Sequence, residues 1–104
     1  MGRWAQRRRT GGGPPAGAAL ITITEAEVTD TTEILVSFSA NVNAGDFDPT
    51  DFTTQPSNAT GTVFGAAGAN YINTYFDHDI TADTTITYNG TAPGVQSPDV
   101  HPIT

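Results

Sequence analysis

At 104 residues, the chain has room for one small domain around a single core, and its lack of cysteine excludes disulfide staples and thiolate metal sites. The formal charge of −7 hides a sharp division: all four basic residues, Arg3, Arg7, Arg8 and Arg9, lie in the first nine positions, and all eleven acidic residues lie from Glu25 onward. The first segment is therefore +4 and the remainder −11, so the body repels nucleic-acid phosphates and other copies of itself, whereas the segment before it seeks an anionic partner.

Residues 1–19 read as an extended arm. Arg3-Trp4 and Arg7-Arg8-Arg9 lead into Gly11-Gly12-Gly13-Pro14-Pro15, which combines glycine freedom with polyproline-like extension. At about 3.3 Å per residue such an arm reaches roughly 60 Å, more than the width of so small a domain. The same run argues against a signal peptide, which needs roughly 7–15 apolar residues after its basic start. The longest apolar stretch, Ala16 to Ile23, is interrupted by Gly17 and Thr22, and nothing approaches a membrane-spanning helix. The expectation is a protein made in the cytoplasm that ends on the outside of a particle.

The body, residues 20–104, reads as short strands punctuated by turns. Leu20 to Thr24 and Ala26 to Val28 alternate as a first strand with a bend near Glu25, followed by a turn over Thr29 to Thr32. Glu33 to Ser39 is the best-patterned strand, with Ile34, Val36 and Phe38 on one face. After a loop over Asn41 to Gly45, Asp48-Pro49-Thr50-Asp51 predicts a single helical turn, with Asp48 as cap and Pro49 at the first helical position. Phe52 to Thr54 and Thr60 to Phe64 are strand-like, and a turn is predicted over Gly65 to Ala69. Tyr71 to Phe76, Thr84 to Tyr88 and an edge strand over Val100 to Thr104 complete the set. About seven strands at intervals of 8–12 residues predict an all-β sandwich.

The segments Ile34-Leu35-Val36-Ser37-Phe38-Ser39 with Val42, Asp48-Pro49-Thr50-Asp51-Phe52, and Ile80 to Tyr88 resemble the bacterial immunoglobulin-like domains repeated in large surface and secreted proteins. The resemblance covers about Ile21 to Thr104 and none of the arm. It implies a single Ig-like β-sandwich. Ala40-Asn41 stands where that family often has Glu-Pro, and neither the family's tandem copies nor its signal peptide is expected here. A lone copy behind a basic arm is similar in architecture to the small Ig-like accessory proteins of tailed-bacteriophage virions, which decorate capsids or belong to the neck and tail.

Several groups of residues invite chemistry. Asp46, Asp48 and Asp51 fall within six residues and offer oxygens of the kind calcium requires, but capping and solvation explain them as well, and no metal or other cofactor is expected. His78 lies between Asp77 and Asp79, an arrangement that suits a carboxylate-held base. No oxyanion-type glycine elbow accompanies it, His101 sits in a proline-rich tail, and so no enzyme is expected. Asn58-Ala59-Thr60 and Asn89-Gly90-Thr91 match the glycosylation sequon, though turns require asparagine at both places. Tyr71 and Tyr75, with Tyr88, form either an aromatic strip for sugar or protein contact, or a set in which some rings face the core and the others cover the sheet.

The arm has three readings: phosphate contact with nucleic acid, docking on a partner protein, or an inert charged start. Trp4 favours docking, because tryptophan with arginine is the usual hot-spot pairing at protein interfaces. The expected partners are therefore capsid or other virion proteins contacted by Arg3, Trp4, Arg7, Arg8 and Arg9, with many copies on a larger assembly. Nucleic acid comes second and a membrane is not expected. The alternatives are an extracellular Ig-like adhesion or carbohydrate-binding module using Asn41 to Asp51 or Tyr71 and Tyr75, and a tail or neck component.

Overall fold

A computed structural model of the chain describes residues 19–104, and the arm residues Arg3, Trp4, Arg7, Arg8 and Arg9 lie outside them. Among the described residues seven strands are formed: β1 (Ile23–Asp30), β2 (Glu33–Phe38), β3 (Phe52–Gln55), β4 (Gly61–Ala67), β5 (Tyr71–Phe76), β6 (Thr85–Tyr88) and β7 (Asp99–Pro102). They make two antiparallel sheets, one of four strands in the order β1-β2-β5-β4 and one of three in the order β3-β6-β7. The chain passes between the sheets after β2, after β3 and after β5, so neither sheet can form alone from a contiguous piece of sequence.

The alternation of side chains dictates which faces meet. Ile34, Val36 and Phe38 of β2 and Ile72, Thr74 and Phe76 of β5 are buried on one side of the larger sheet, opposite Phe52 and Thr54 of β3 and Ile86 and Tyr88 of β6. A cluster of aromatic rings fills the gap, with Phe47 dropping between the sheets from the β2–β3 connection. That connection contains two short 3-10 turns, Ala44–Asp46 and Pro49–Asp51. The second forms as its sequence predicts. Asp48 accepts hydrogen bonds from the N–H and the hydroxyl of Thr50, and Asp51 reaches back to the Asp48 N–H.

Two edges of the sandwich are closed by backbone pairing outside the strands. The N–H of Thr104 donates to Ala26 and that of Val28 to Thr104, which lays the end of the chain along β1. The buried carboxylate of Asp99 on β7 accepts the Ile23 N–H at 2.8 Å, a second tie between the sheets on that side. At the other side Thr53 and Thr60 form an isolated bridge. Buried amides without such partners would cost roughly 1–3 kcal/mol each.

The structure departs from the sequence reading at the turn after β4. The turn predicted over Gly65 to Ala69 begins later, because β4 continues to Ala67. Gly65 serves there as the floor beneath the Tyr75 ring, with no room for a Cβ, rather than as a chain reversal. His101 sits on β7 opposite Ile86, within the edge strand predicted over Val100 to Thr104. The bend expected near Glu25 is a register shift between Ile23 and Glu25.

Phe52 is fully buried and contacts Phe47, Phe64 and Tyr88. Phe52→Ala is expected to lower unfolding free energy by about 3–5 kcal/mol in denaturant titration, whereas Thr53→Ala on the neighbouring, less buried position shifts it by under about 1 kcal/mol.

Candidate functional site

The outward side of the four-stranded sheet gathers most of the side chains with recognition chemistry. Strand alternation puts Tyr71, Asn73 and Tyr75 of β5 on this face, and register places them opposite Ser37, Leu35 and Glu33 of β2. Glu25 and Glu27 of β1 pair with Ser37 and Leu35, and Val63 of β4 pairs with Tyr75. The face thus has an acidic flank, an apolar middle and an aromatic strip. Tyr71 and Tyr75 are each 37% exposed and Val63 is 53% exposed.

Both tyrosine rings lie against glycine. A Cβ on Gly65 would collide with the Tyr75 ring, and one on Gly68 with the Tyr71 ring. The rings are therefore supported by backbone and present their outer surfaces to solvent. Between them, Asn73 donates its amide N–H to the Glu33 carboxylate, while its Oδ1 is a buried acceptor without a partner. The Glu33 charge raises the Tyr75 phenol above its ordinary value of 10.0; burial, a hydrogen bond to the same carboxylate and the charge of Asp30 act in the same direction. Tyr88 is not part of the strip. It is fully buried and its hydroxyl accepts the Ala92 N–H at 3.0 Å.

The other sequence candidates are placed apart. Asp48 and Asp51 spend their carboxylates on the 3-10 turn, and the hydroxyl and N–H of Thr50 hold Asp48 below the usual carboxylate range. Asp46 lies in the preceding turn beside an open cleft of about 310 Å³ lined by Ile21, Val42, Asn43, Phe47 and Val95 among others. Among the described residues no three acidic, histidine or cysteine groups converge as metal ligands. His78 Nδ1 is 2.8 Å from Asp77 Oδ1, with no nucleophile assembled beside it, and His101 Nδ1 is 2.7 Å from the Pro102 carbonyl. Asn58 and Asn89 are exposed in turns, Asn58 with φ 59°.

Asp83 and Asp99 were not singled out by sequence, since a lone aspartate in a strand-and-turn pattern looks like surface. Both are buried. Asp83 Oδ2 accepts from the hydroxyls of Thr54 at 2.5 Å and Ser57 at 2.6 Å, and Oδ1 accepts the Ser57 N–H at 3.2 Å. The aspartate thus fastens the β3–β4 turn to the turn before β6, a structural role.

Comparison with known proteins adds the fold and little else. No family model matches the chain, and no curated protein matches it. Among solved structures it is similar to the N-terminal part of the bacterial S-layer protein SbsC, with a TM-score of 0.64 and 14% identity over 83% of this chain. The match spans only 23% of that chain. The likeness is one of all-β architecture with two sheets.

Burial pushes the Asp83 carboxyl up, but the hydrogen bonds from Ser57 and Thr54 outweigh it, and the net shift is downward. A folded-state value below the unfolded one means that the stabilisation is complete above about pH 4 and is lost as pH falls through the folded value. Asp83→Ala, which also orphans the buried Thr54 hydroxyl, is expected to lower stability at neutral pH by about 1–3 kcal/mol and to flatten the acid limb of the stability curve measured by thermal unfolding. Glu33→Gln is expected to bring the Tyr75 phenol back toward its ordinary value in an ultraviolet pH titration.

Proposed function

We propose that this chain is a non-enzymatic structural protein in which the basic arm docks on a larger assembly and the acidic sandwich is displayed. The assembly is the virion of a tailed phage, with the protein as a capsid decoration or accessory subunit carrying an Ig-like domain. The observation that carries this reading is the separation of charge. Every arginine lies within residues 3–9 beside the single tryptophan, and every carboxylate lies in the body. Arginine with tryptophan suits a docking anchor, and a carboxylate-rich body suits exposure to solvent. The fold likeness to part of an S-layer protein is consistent with surface display.

The exposed Tyr71 and Tyr75 favour a second reading, an adhesion or carbohydrate-binding module. Glycan-array binding that is lost in Tyr71→Ala/Tyr75→Ala would support it. The leading reading is tested by deleting residues 2–13. Particle co-sedimentation should be abolished while circular dichroism still reports a folded sheet protein, and undiminished particle binding by the deletion variant would overturn the reading.

A further inference from the structure

From the outer face of the four-stranded sheet we infer a docking surface for the arginine arm of a second copy of this chain. The proposal concerns contact between copies and stands or falls independently of where the assembly is located.

The argument begins with missing counter-charge. The described residues contain no lysine or arginine, and the one contact among them between a basic and an acidic side chain is that of the His78 imidazole with Asp77. Glu25, Glu27 and Glu33 share the outer face of the larger sheet, so that face is acidic with no fixed cation within it. Two copies brought together by their bodies alone would repel. The chain's own cations, Arg3, Arg7, Arg8 and Arg9, are the complementary set.

The chemistry of the face suits arginine rather than any cation. Guanidinium groups stack on aromatic faces and pair in a fork with carboxylates. Here the solvent-facing ring of Tyr75 stands opposite Glu33, while that of Tyr71 stands opposite Ser37, whose other neighbour is Glu25. The exposed Val63 and half-buried Leu35 offer apolar surface for Trp4. The unpartnered Asn73 Oδ1 lies in the centre of the same patch, an acceptor for a guanidinium or indole N–H once the side chains above it part.

Reach favours a neighbour. A four-stranded sheet is only about 15 Å across from first to last strand, whereas the chain length preceding the Ile21–Val95 bridge can span at most roughly 60 Å, enough to reach a second body. Each copy then supplies one arm and receives another, a head-to-tail arrangement that can propagate.

Sedimentation velocity of the full chain over a wide concentration range tests this, with Trp4 emission as a second readout because it is the single tryptophan. The expected result is self-association with a blue shift of Trp4, both reversed at about 1 M salt, where the screening length is about 3 Å. Glu25→Gln/Glu27→Gln/Glu33→Gln should weaken association by roughly tenfold or more. A chain carrying Arg7→Glu/Arg8→Glu should recover association when mixed with one carrying Glu25→Lys/Glu27→Lys, although neither self-associates strongly. A chain that stays monomeric at every concentration, whether or not its Trp4 is shielded, overturns the proposal. So does association that neither salt nor the triple substitution weakens.

Discussion

The contact on which this structure depends is the meeting of Phe47 with the rings of Phe38, Phe52 and Tyr88, at centroid separations of 5.4, 6.1 and 5.3 Å. Phe38 belongs to one sheet, Phe52 and Tyr88 to the other, and Phe47 to the connection between them. A ring supplied by a loop therefore bridges the two layers. Aromatic pairs at such separations add about 0.5–1.5 kcal/mol beyond the burial of their area, and burial is already scarce in a body this small. The connection is consequently part of the core, and its two 3-10 turns are capped at their starts by the Asn43 and Asp48 side chains and closed at their ends by the backbone N–H groups of Phe47 and Phe52.

With the inner faces committed to this core, recognition is left to the outer faces. The larger sheet shows how a β-surface can be made specific without a pocket. Glycines in and beside its edge strand lower the backbone beneath two tyrosines, and carboxylates across the neighbouring strands set the electrostatic character of the surface. Among the described residues the outer face of the smaller sheet carries threonines, Thr53, Thr85 and Thr87, with Val100 exposed beside Thr87, and no aromatic strip.

Much of the fold was legible because strand alternation is a local signal. Glu33 to Ser39 alternates so cleanly that the strand and its buried face, Ile34, Val36 and Phe38, follow from the residues alone. Tyr71 to Phe76 was legible as a strand but not in which of its two apolar faces turns inward, and Asp48-Pro49-Thr50-Asp51 carries its turn in four letters. What resisted reading depends on contacts distant in sequence. Gly65 looks like a turn former until Tyr75 is placed above it, ten positions away. Asp83 and Asp99 look solvated until Thr54, Ser57 and the Ile23 amide are brought to them by the closing of the sandwich. The candidate face was half legible: Tyr71 and Tyr75 were visible as a pair at strand spacing, but their alignment with Glu33, Glu25 and Glu27 is a matter of register between strands.

The body described here, with every carboxylate and no lysine or arginine, has a consequence for how the molecule is handled by proteases. An enzyme that cleaves after basic residues finds its bonds only among residues 3–9 and none in the sandwich. Such an enzyme can detach the positive segment while leaving all seven strands uncut, converting a two-signed chain into a purely anionic one. Selective clipping of this kind would change what the protein can adhere to without touching its core.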